Sequence, residues 1–309
     1  MDHAQKEKML NRVHGRIDMV LDTDTFNEVD DQYALSYILH ALDKLNLLAI
    51  YAAPFANKKA ETPAIGMEKS YQEILHILAL NGRSDLESIV YRGSKTYLPD
   101  ENTPVISPAA LDLVERSQGY SADNPLYVGA LGAITNVASA ILLDPTILDR
   151  IVIVWLGGNS NEWHDYNEFN LMQDVAAARI VLGCNGAVVQ VPAYGVASAL
   201  TTPMQECEYW LRGKGELCDY LLDITLNEMA EKLATKVGSR KIWDISVVAY
   251  LLDGEGHIAR DRFMPAPEPQ YDHSFTISAD RPLIRQVYYL DRDIIFRDLF
   301  RRLTGWEEK

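Results

Sequence analysis

Four aspartates and one glutamate lie within ten residues near the start of the chain, in the segment DTDTFNEVDD at 22–31. Asp22 and Asp24 are two residues apart, so on an extended strand their side chains would point to the same face. Asp30 and Asp31 follow at the start of a helix-like segment. Crowded carboxylates repel one another unless a cation or a shared proton offsets the repulsion. The cluster therefore predicts a site for a hard metal ion that contains a catalytic carboxylate.

Part of this cluster has a simpler structural explanation. Aspartates are common at helix N-caps, and the helix dipole favours acidic residues in the first helical turn. That explanation suffices for Asp30 or Asp31 taken singly. It does not explain Asp22 and Asp24, which precede the turn, and so the pattern favours the metal site.

The cluster follows a short apolar run at 17–21 and precedes apolar residues at helical spacing over 33–39, which predicts a strand-to-helix turn. In open α/β sheets, ligands bind at the carboxyl ends of such strands. Further strands are predicted at 47–52, 88–91, 126–129, 151–156 and 188–191 and within 275–290. Helices are predicted over 60–80, from 131, over 174–182, over 245–252 and over 291–303. This alternation predicts a Rossmann-like open α/β fold: a mostly parallel central sheet with helices on both faces. Residues 1–16 are expected to form an N-terminal arm and 17–309 a single domain, with a helical segment at 202–241 near the carboxyl edge.

Polar residues follow several of these strands. Asn57 comes after the second strand, Thr135 and Asn136 after the strand at 126–129, and a loop with His164, Glu168 and Asn170 after the strand at 151–156. If these strand ends converge, they form one cleft rich in oxygen donors. Oxygen ligands indicate Ca²⁺ or Mg²⁺ rather than zinc.

The composition limits the partners. The 309-residue chain has a formal net charge of −15, which argues against nucleic acid because no basic stripe is available to neutralise phosphates. Its three cysteines show no metal-binding or disulfide spacing, so we expect a cytoplasmic protein. No signal peptide or membrane-spanning run is expected, since no stretch of about 18 apolar residues occurs.

Four motifs together resemble the nucleoside hydrolase family, the inosine-uridine preferring N-ribohydrolases. The family signature Asp-x-Asp-Pro-Gly-x-Asp-Asp is matched by the acidic turn at 22–31, which is two residues longer and lacks the Pro-Gly. The segment at 132–136 is similar to the family's Gly-x-Leu-Thr-Asn, the one at 168–170 matches its Glu-Phe-Asn, and Trp243-Asp244 stands at its His-Asp. The resemblance implies a calcium-dependent enzyme that hydrolyses ribonucleosides to base and ribose in nucleotide salvage, as a homo-dimer or homo-tetramer.

The resemblance also implies a role for each matching residue. Asp24 would bind Ca²⁺ and act as the general base on a metal-bound water. Asp31, Asp244 and the backbone carbonyl of Thr135 would complete the protein ligands. The hydroxyls of the ribose would be held by Asp30, Glu168, Asn170 and Asn57. Asp22 would contact the residues that bind the metal rather than the metal itself.

The chain departs from the family pattern at the leaving base. Trp243 stands where these relatives carry a histidine that protonates the base, and an indole supplies no proton at neutral pH. His164 is one possible substitute. The other is stacking of the base on Trp163, Tyr220 or Trp243.

Two other functions fit parts of the sequence. A magnesium-dependent phosphohydrolase would use Asp22 as nucleophile and Asp24 as acid, although no oxyanion clamp is evident near the strand ends. A non-catalytic ribose or nucleoside-binding protein would explain the missing histidine, but it has little need of a full metal shell.

Overall fold

The computed structural model describes residues 3–12, 14–232 and 238–306. The helices are α1 (His3–Met9), α2 (Asp30–Leu39), α3 (Pro63–Leu80), α4 (Pro108–Ser117), α5 (Thr135–Leu143), α6 (Phe169–Gln173), α7 (Val175–Gly183), α8 (Met204–Leu211), α9 (Glu216–Lys232), α10 (Ile245–Leu252) and α11 (Arg292–Thr304). The strands are β1 (Ile17–Thr23), β2 (Leu45–Ala52), β3 (Val90–Arg92), β4 (Leu126–Ala130), β5 (Ile151–Leu156), β6 (Ala187–Val191), β7 (Thr201–Pro203), β8 (Ser239–Lys241), β9 (Ala259–Pro265), β10 (Glu268–Pro269), β11 (Phe275–Thr276) and β12 (Leu283–Leu290).

Eight strands form one central sheet in the order β3-β2-β1-β4-β5-β6-β12-β9. The first seven run parallel, and β9 pairs antiparallel with β12 at one edge. The central strands β4 and β5 are buried along their whole length, as expected for parallel strands with helices on both faces. The predicted mostly parallel α/β fold is confirmed.

The strand order reverses direction between β1 and β4, because the chain goes from β1 outward to β2 and β3 and then returns to β4. A crevice forms at the carboxyl ends of the two strands at such a reversal. The register aligns Asp22 of β1 with Ala130 of β4. The acidic turn after β1 therefore lies beside this crevice.

The sequence analysis missed several parts of the fold. Helix α4 and the edge strand β9 had no predicted counterpart, and β7 and β8 form a two-stranded antiparallel sheet within the segment predicted as helical at 202–241. The rest of that segment is helical, in α8 and α9. The N-terminal arm contains α1 and is attached to the body through Arg12, which forms ion pairs with Asp253 and Asp261 at 2.9 and 2.8 Å. The domain limits stay a prediction.

Within the described parts of the chain, every helix is too short or too polar to cross a membrane.

Candidate metal centre and substrate cavity

A cavity of about 790 Å³ opens at the carboxyl ends of the central strands, within the size range of ligand sites in proteins. Asp24, Asp30, Asp31 and Asp244 line it, together with Glu168. The cavity wall also includes residues of α9. The helical segment that precedes β8 therefore lies at the carboxyl edge of the sheet, as the sequence analysis expected.

Three carboxylates at the base of the cavity come close enough to share one cation. One oxygen each from Asp30, Asp31 and Asp244 lies within 4.8 Å of the others, and all three residues are buried. Two oxygens bound to one calcium ion, each about 2.3–2.6 Å from it, can be at most about 5 Å apart. The geometry of this cluster therefore fits a metal ion of that kind.

The electrostatics of the cluster also favour a bound cation. Burial is the largest cause that raises the pKa of Asp30 to about 7 and of Asp31 to about 6. Burial also raises the pKa of Asp24 and Asp244 well above the usual value, and the charges of the neighbouring aspartates add to the shift. The buried Oδ2 of Asp24 has no hydrogen-bond partner. A bound cation would lower the cost of keeping these groups ionised.

Contacts from α5 and from the loop after β4 position Asp22 and Asp24. Asp22 Oδ1 accepts a hydrogen bond of 2.7 Å from the side chain of Asn136. Asp24 packs against Gly132, where an added Cβ would lie only 2.8 Å from Asp24 Oδ1. Asp22 thus lies behind the cluster, while Asp24 faces the cavity.

The other aspartates are held by contacts from distant parts of the chain. Asp30 Oδ2 accepts the backbone N–H of Trp243 at 2.9 Å, and its Oδ1 lies 3.5 Å from the buried guanidinium of Arg240. The hydroxyl of Thr23 donates to Asp31. Asp244 precedes the first turn of α10. The fold thus brings residues more than 200 positions apart into one site.

The predicted ribose contacts also line the cavity. Glu168 caps α6, where its carboxylate accepts the backbone N–H groups of Asn170 and Leu171. Its Oε2 also accepts the N–H of Gly158 at 2.8 Å. Asn57 is held at the opposite side by donating to Asn27 Oδ1 at 2.7 Å. These polar groups are fixed in place before a ligand binds.

Known proteins of one family resemble this chain in sequence and in fold. The inosine-uridine preferring nucleoside hydrolase family matches residues 19–281. The chain belongs to this family. It is 24% identical over 241 residues to a probable uridine nucleosidase 2 of Arabidopsis thaliana, covering 69% of this chain and 70% of that protein. A plant nucleoside hydrolase structure has a TM-score of 0.71 at 19% identity, covering 94% of this chain and 99% of the other. A purine-preferring ribonucleoside hydrolase of Gardnerella vaginalis has a TM-score of 0.71 at 20% identity over 93% and 98% of the two chains.

Family membership makes the protein an N-glycosyl hydrolase that acts on ribonucleosides, so the predicted enzyme class is confirmed. The two alternatives from the sequence, a phosphohydrolase and a non-catalytic binding protein, are therefore set aside. The family is metal-dependent in general, and the acidic cluster of this nucleoside hydrolase is the corresponding feature of its structure.

The structure does not place Thr135 where the motif assignment expected it. Its hydroxyl donates to Asp174 at 2.7 Å, and it begins α5, where carbonyl oxygens accept hydrogen bonds from residues further along the helix. Leu131, four residues earlier, lines the cavity, and its carbonyl accepts the side-chain amide of Asn170. In the segment from Leu131 to Thr135, Leu131 lines the cavity and Thr135 does not, so the carbonyl of Leu131 is the candidate backbone ligand of this nucleoside hydrolase.

The aromatic candidates divide into two groups. Trp243 lines the cavity and packs edge-on against Tyr194, with ring centroids 5.3 Å apart, and Trp163 stacks on the same tyrosine at 5.2 Å. Tyr220 lines the cavity from α9. His164, in contrast, is exposed and pairs with Asp165 at 3.0 Å. It is not among the residues that line the cavity, so the structure does not support its role as the histidine substitute.

The sequence analysis missed four residues that shape the site. Tyr194 joins the aromatic wall, and Arg240 binds Glu28 and Glu228 as well as approaching Asp30. The remaining two, Gln32 and Glu73, lie on helices α2 and α3 and line the cavity. None of them belongs to the family motifs. Gln32 follows Asp31 in α2, whereas the other three are brought to the site by tertiary packing.

Proposed function

We propose that this protein is a calcium-dependent ribonucleoside hydrolase in which Asp24 is the general base. The observation that carries the proposal is the buried, unpartnered Oδ2 of Asp24 beside the Asp30, Asp31 and Asp244 cluster. Asp24 lines the cavity, and a carboxylate oxygen without a protein donor can serve as a base toward a water held beside it.

Calcium is the proposed ion because every candidate ligand is an oxygen and several are carboxylates. Asp24, Asp31 and Asp244 would supply carboxylates, and the carbonyl of Leu131 would replace that of Thr135. Bound calcium would hold the attacking water and the ribose hydroxyls together and make that water easier to deprotonate.

The side chains of the protein would do the rest of the chemistry. Asp24 takes the proton of the attacking water, and Asp30, Glu168, Asn170 and Asn57 hold the ribose hydroxyls. As the N-glycosidic bond breaks, positive charge grows on the sugar, because the transition state resembles an oxocarbenium ion. The surrounding carboxylates stabilise that charge.

The base is proposed to leave from the aromatic wall. No histidine lines the cavity among the described residues, whereas Trp243 and Tyr194 present two adjoining rings. Stacking on these rings would hold the base and raise its basicity, so that water rather than a side chain supplies the proton.

A cytoplasmic role in nucleotide salvage is proposed as well. Cys184, Cys207 and Cys218 are all free thiols, which suits a reducing compartment. The homo-dimer or homo-tetramer remains a proposal that rests on the family resemblance alone.

The test is release of free base from a panel of purine and pyrimidine ribonucleosides, with calcium and with a chelator. We expect turnover that is lost with chelator and restored by calcium. Deoxyribonucleosides should be poor substrates because the 2′-hydroxyl is a proposed ligand.

Asp24→Asn should abolish turnover and leave the fold intact by circular dichroism, because an amide cannot take the proton. Asp149→Asn, remote from the cavity, is the matched control and should keep full activity. Near-normal turnover by Asp24→Asn would show that the general base is another group.

A further inference from the structure

One wall of the cavity, formed by α2, α3 and α9, presents a buried carboxylate that the hydrolysis of the glycosidic bond does not use. Glu73 of α3 is 7% exposed and lines the cavity. Its Oε1 accepts the hydroxyl of Tyr220 at 2.5 Å and the side-chain amide of Gln32 at 3.3 Å. Both partners line the same cavity, so the three side chains form one polar surface.

This surface has acceptors without donors. Both hydrogen bonds to Glu73 reach Oε1, and Oε2 has no hydrogen-bond partner among the described residues. Gln32 is 4% exposed, and its Oε1 is buried with no partner. The amide of Gln32 is oriented by its N–H donation to Glu73, since the reverse orientation would place two oxygens together.

No cation compensates Glu73 in the described residues. Lys69 is one turn away on α3 and also lines the cavity, but it donates to the carbonyl of Lys59 and forms no ion pair with Glu73. The buried Oε1 of Gln32 lacks a donor, which is costly and uncommon in native proteins, and Oε2 of Glu73 is left free at the cavity wall. The arrangement is therefore suited to a ligand that brings N–H groups.

We propose that Glu73 determines base specificity by accepting N–H donors of the nucleobase, and that the preferred substrates are purine ribonucleosides of the guanosine type. Guanine carries N1–H and an exocyclic N2–H₂ on one edge, two adjacent donors that the remaining oxygen of Glu73, Oε2, can accept with its two lone pairs. Inosine carries only the ring N–H, and purine riboside has no donor on its six-membered ring. This inference rests on the proposed function, because it assigns the base end of the same cavity.

Tyr220 and Gln32 act as positioning residues. Their hydrogen bonds engage Oε1 and fix the carboxylate plane, which leaves Oε2 for the ligand. A site built to bind a substrate N–H rejects the analogue without it, since its own buried acceptor is then left unpaired.

The experiment compares kcat/KM for guanosine, inosine and purine riboside in the wild-type protein, in Glu73→Gln and in Glu68→Gln. Glu68 is the matched control because it lies on the same helix, is partly exposed and pairs with Arg92. We expect the wild type and Glu68→Gln to favour guanosine over inosine over purine riboside. Glu73→Gln should lose about 10- to 100-fold of kcat/KM for guanosine, the size of a lost hydrogen bond to a charged group.

The discriminating quantity is the ratio of kcat/KM for guanosine to kcat/KM for purine riboside. A merely structural role would lower both values together. Glu73→Gln should lower this ratio, because purine riboside has no N–H on its six-membered ring whose hydrogen bond to Glu73 could be lost. An unchanged ratio in this variant would overturn the proposal. If Glu73→Gln does not fold, the order of the three substrates in the wild type decides, and equal values would overturn it.

Failure of the proposed function is separable from failure of this inference. Binding of guanosine and purine riboside to Asp24→Asn, measured by calorimetry, does not require turnover. Tighter binding of guanosine that is lost in Asp24→Asn/Glu73→Gln would support the subsite even if no ribonucleoside is hydrolysed. Equal binding of the two nucleosides would overturn it.

Discussion

Gly132→Ala tests whether the position of the Asp24 carboxylate controls turnover. An alanine Cβ at this position would lie 2.8 Å from Asp24 Oδ1, 3.0 Å from its Cγ and 3.1 Å from its Cβ. Ordinary van der Waals contact for such a Cβ begins at 3.4 Å. The carboxylate must therefore move by 3.4 − 2.8 = 0.6 Å, or the loop after β4 must move by the same amount.

The expected loss follows from that displacement. A misplacement of about 1 Å in an active site can cost about 100-fold in rate, so a shift of this size predicts about a 10-fold loss of kcat/KM. Overpacking should also lower the free energy of unfolding by about 1–3 kcal/mol. The chain should still fold, since a flexible side chain can give way.

The assay is base release from ribonucleosides at saturating calcium, with thermal unfolding measured on the same samples. Gly119→Ala is the control, because an added Cβ there meets its nearest atom, the carbonyl oxygen of Arg116, at 3.7 Å. It should retain full activity. A folded Gly132→Ala protein with wild-type kcat/KM would refute the reasoning that the place of Asp24 is critical.

Two further predictions concern the metal and the base. Burial raises the pKa of Asp30 to about 7 and of Asp31 to about 6, whereas the aspartates of an unfolded chain titrate near 4. Between these pH values the metal-free folded protein holds protons that the unfolded chain has lost. Its free energy of unfolding should therefore fall as the pH rises from about 4 to about 7. Calcium at about 100 times its Kd should raise the free energy of unfolding by about 2.7 kcal/mol, or about 5 °C in Tm at roughly 2 °C per kcal/mol. Calorimetry should find a larger increment near pH 8 than near pH 5.5, because protons compete with the ion; an equal increment at both would contradict the carboxylate site. Trp243→Ala should lower kcat/KM for ribonucleosides by about 10-fold or more, since a base stacked on an aromatic ring gains about 1–3 kcal/mol. Trp306→Ala is the control, because this exposed tryptophan does not line the cavity. Unaltered turnover and unaltered substrate preference in Trp243→Ala would exclude the stacking role.

Local sequence was enough to predict the features that depend on neighbours in the chain. The apolar run before Asp22 and the helical spacing after Asp31 predict β1, the turn and α2 because both periodicities are local. The parallel sheet followed from the repeated alternation of strands and helices. The convergence of the acidic turn with Glu168 followed from placing both after strands of the sheet, whereas Asp244 was predicted only from the family motif.

Features that depend on distant contacts could not be predicted in this way. Arg240 pairs with Glu28 across 212 positions, and no local pattern marks such a partner. The error at Thr135 has a related cause, since a motif fixes which residues are adjacent but not which backbone carbonyl faces the cavity. Glu73 lay on an ordinary amphipathic helix, and only the packing of α3 against α9 gives it Tyr220 as a partner.

The lengthened acidic turn shows why a departure from the family signature need not disrupt the site. Phe26 adopts a φ of 118°, an unfavourable conformation for a bulky residue, in the stretch where the family has Pro-Gly. The Nζ of Lys59 donates to the carbonyls of Phe26 and Asn27, and Asn57 donates to Asn27 Oδ1. These contacts tie the longer turn to the loop after β2, and the turn residues Phe26 and Asn27 line the cavity together with the aspartates at either end of the turn. Residues outside the motif therefore hold the longer turn in place. The role of the turn is to position its aspartates, which does not require the Pro-Gly.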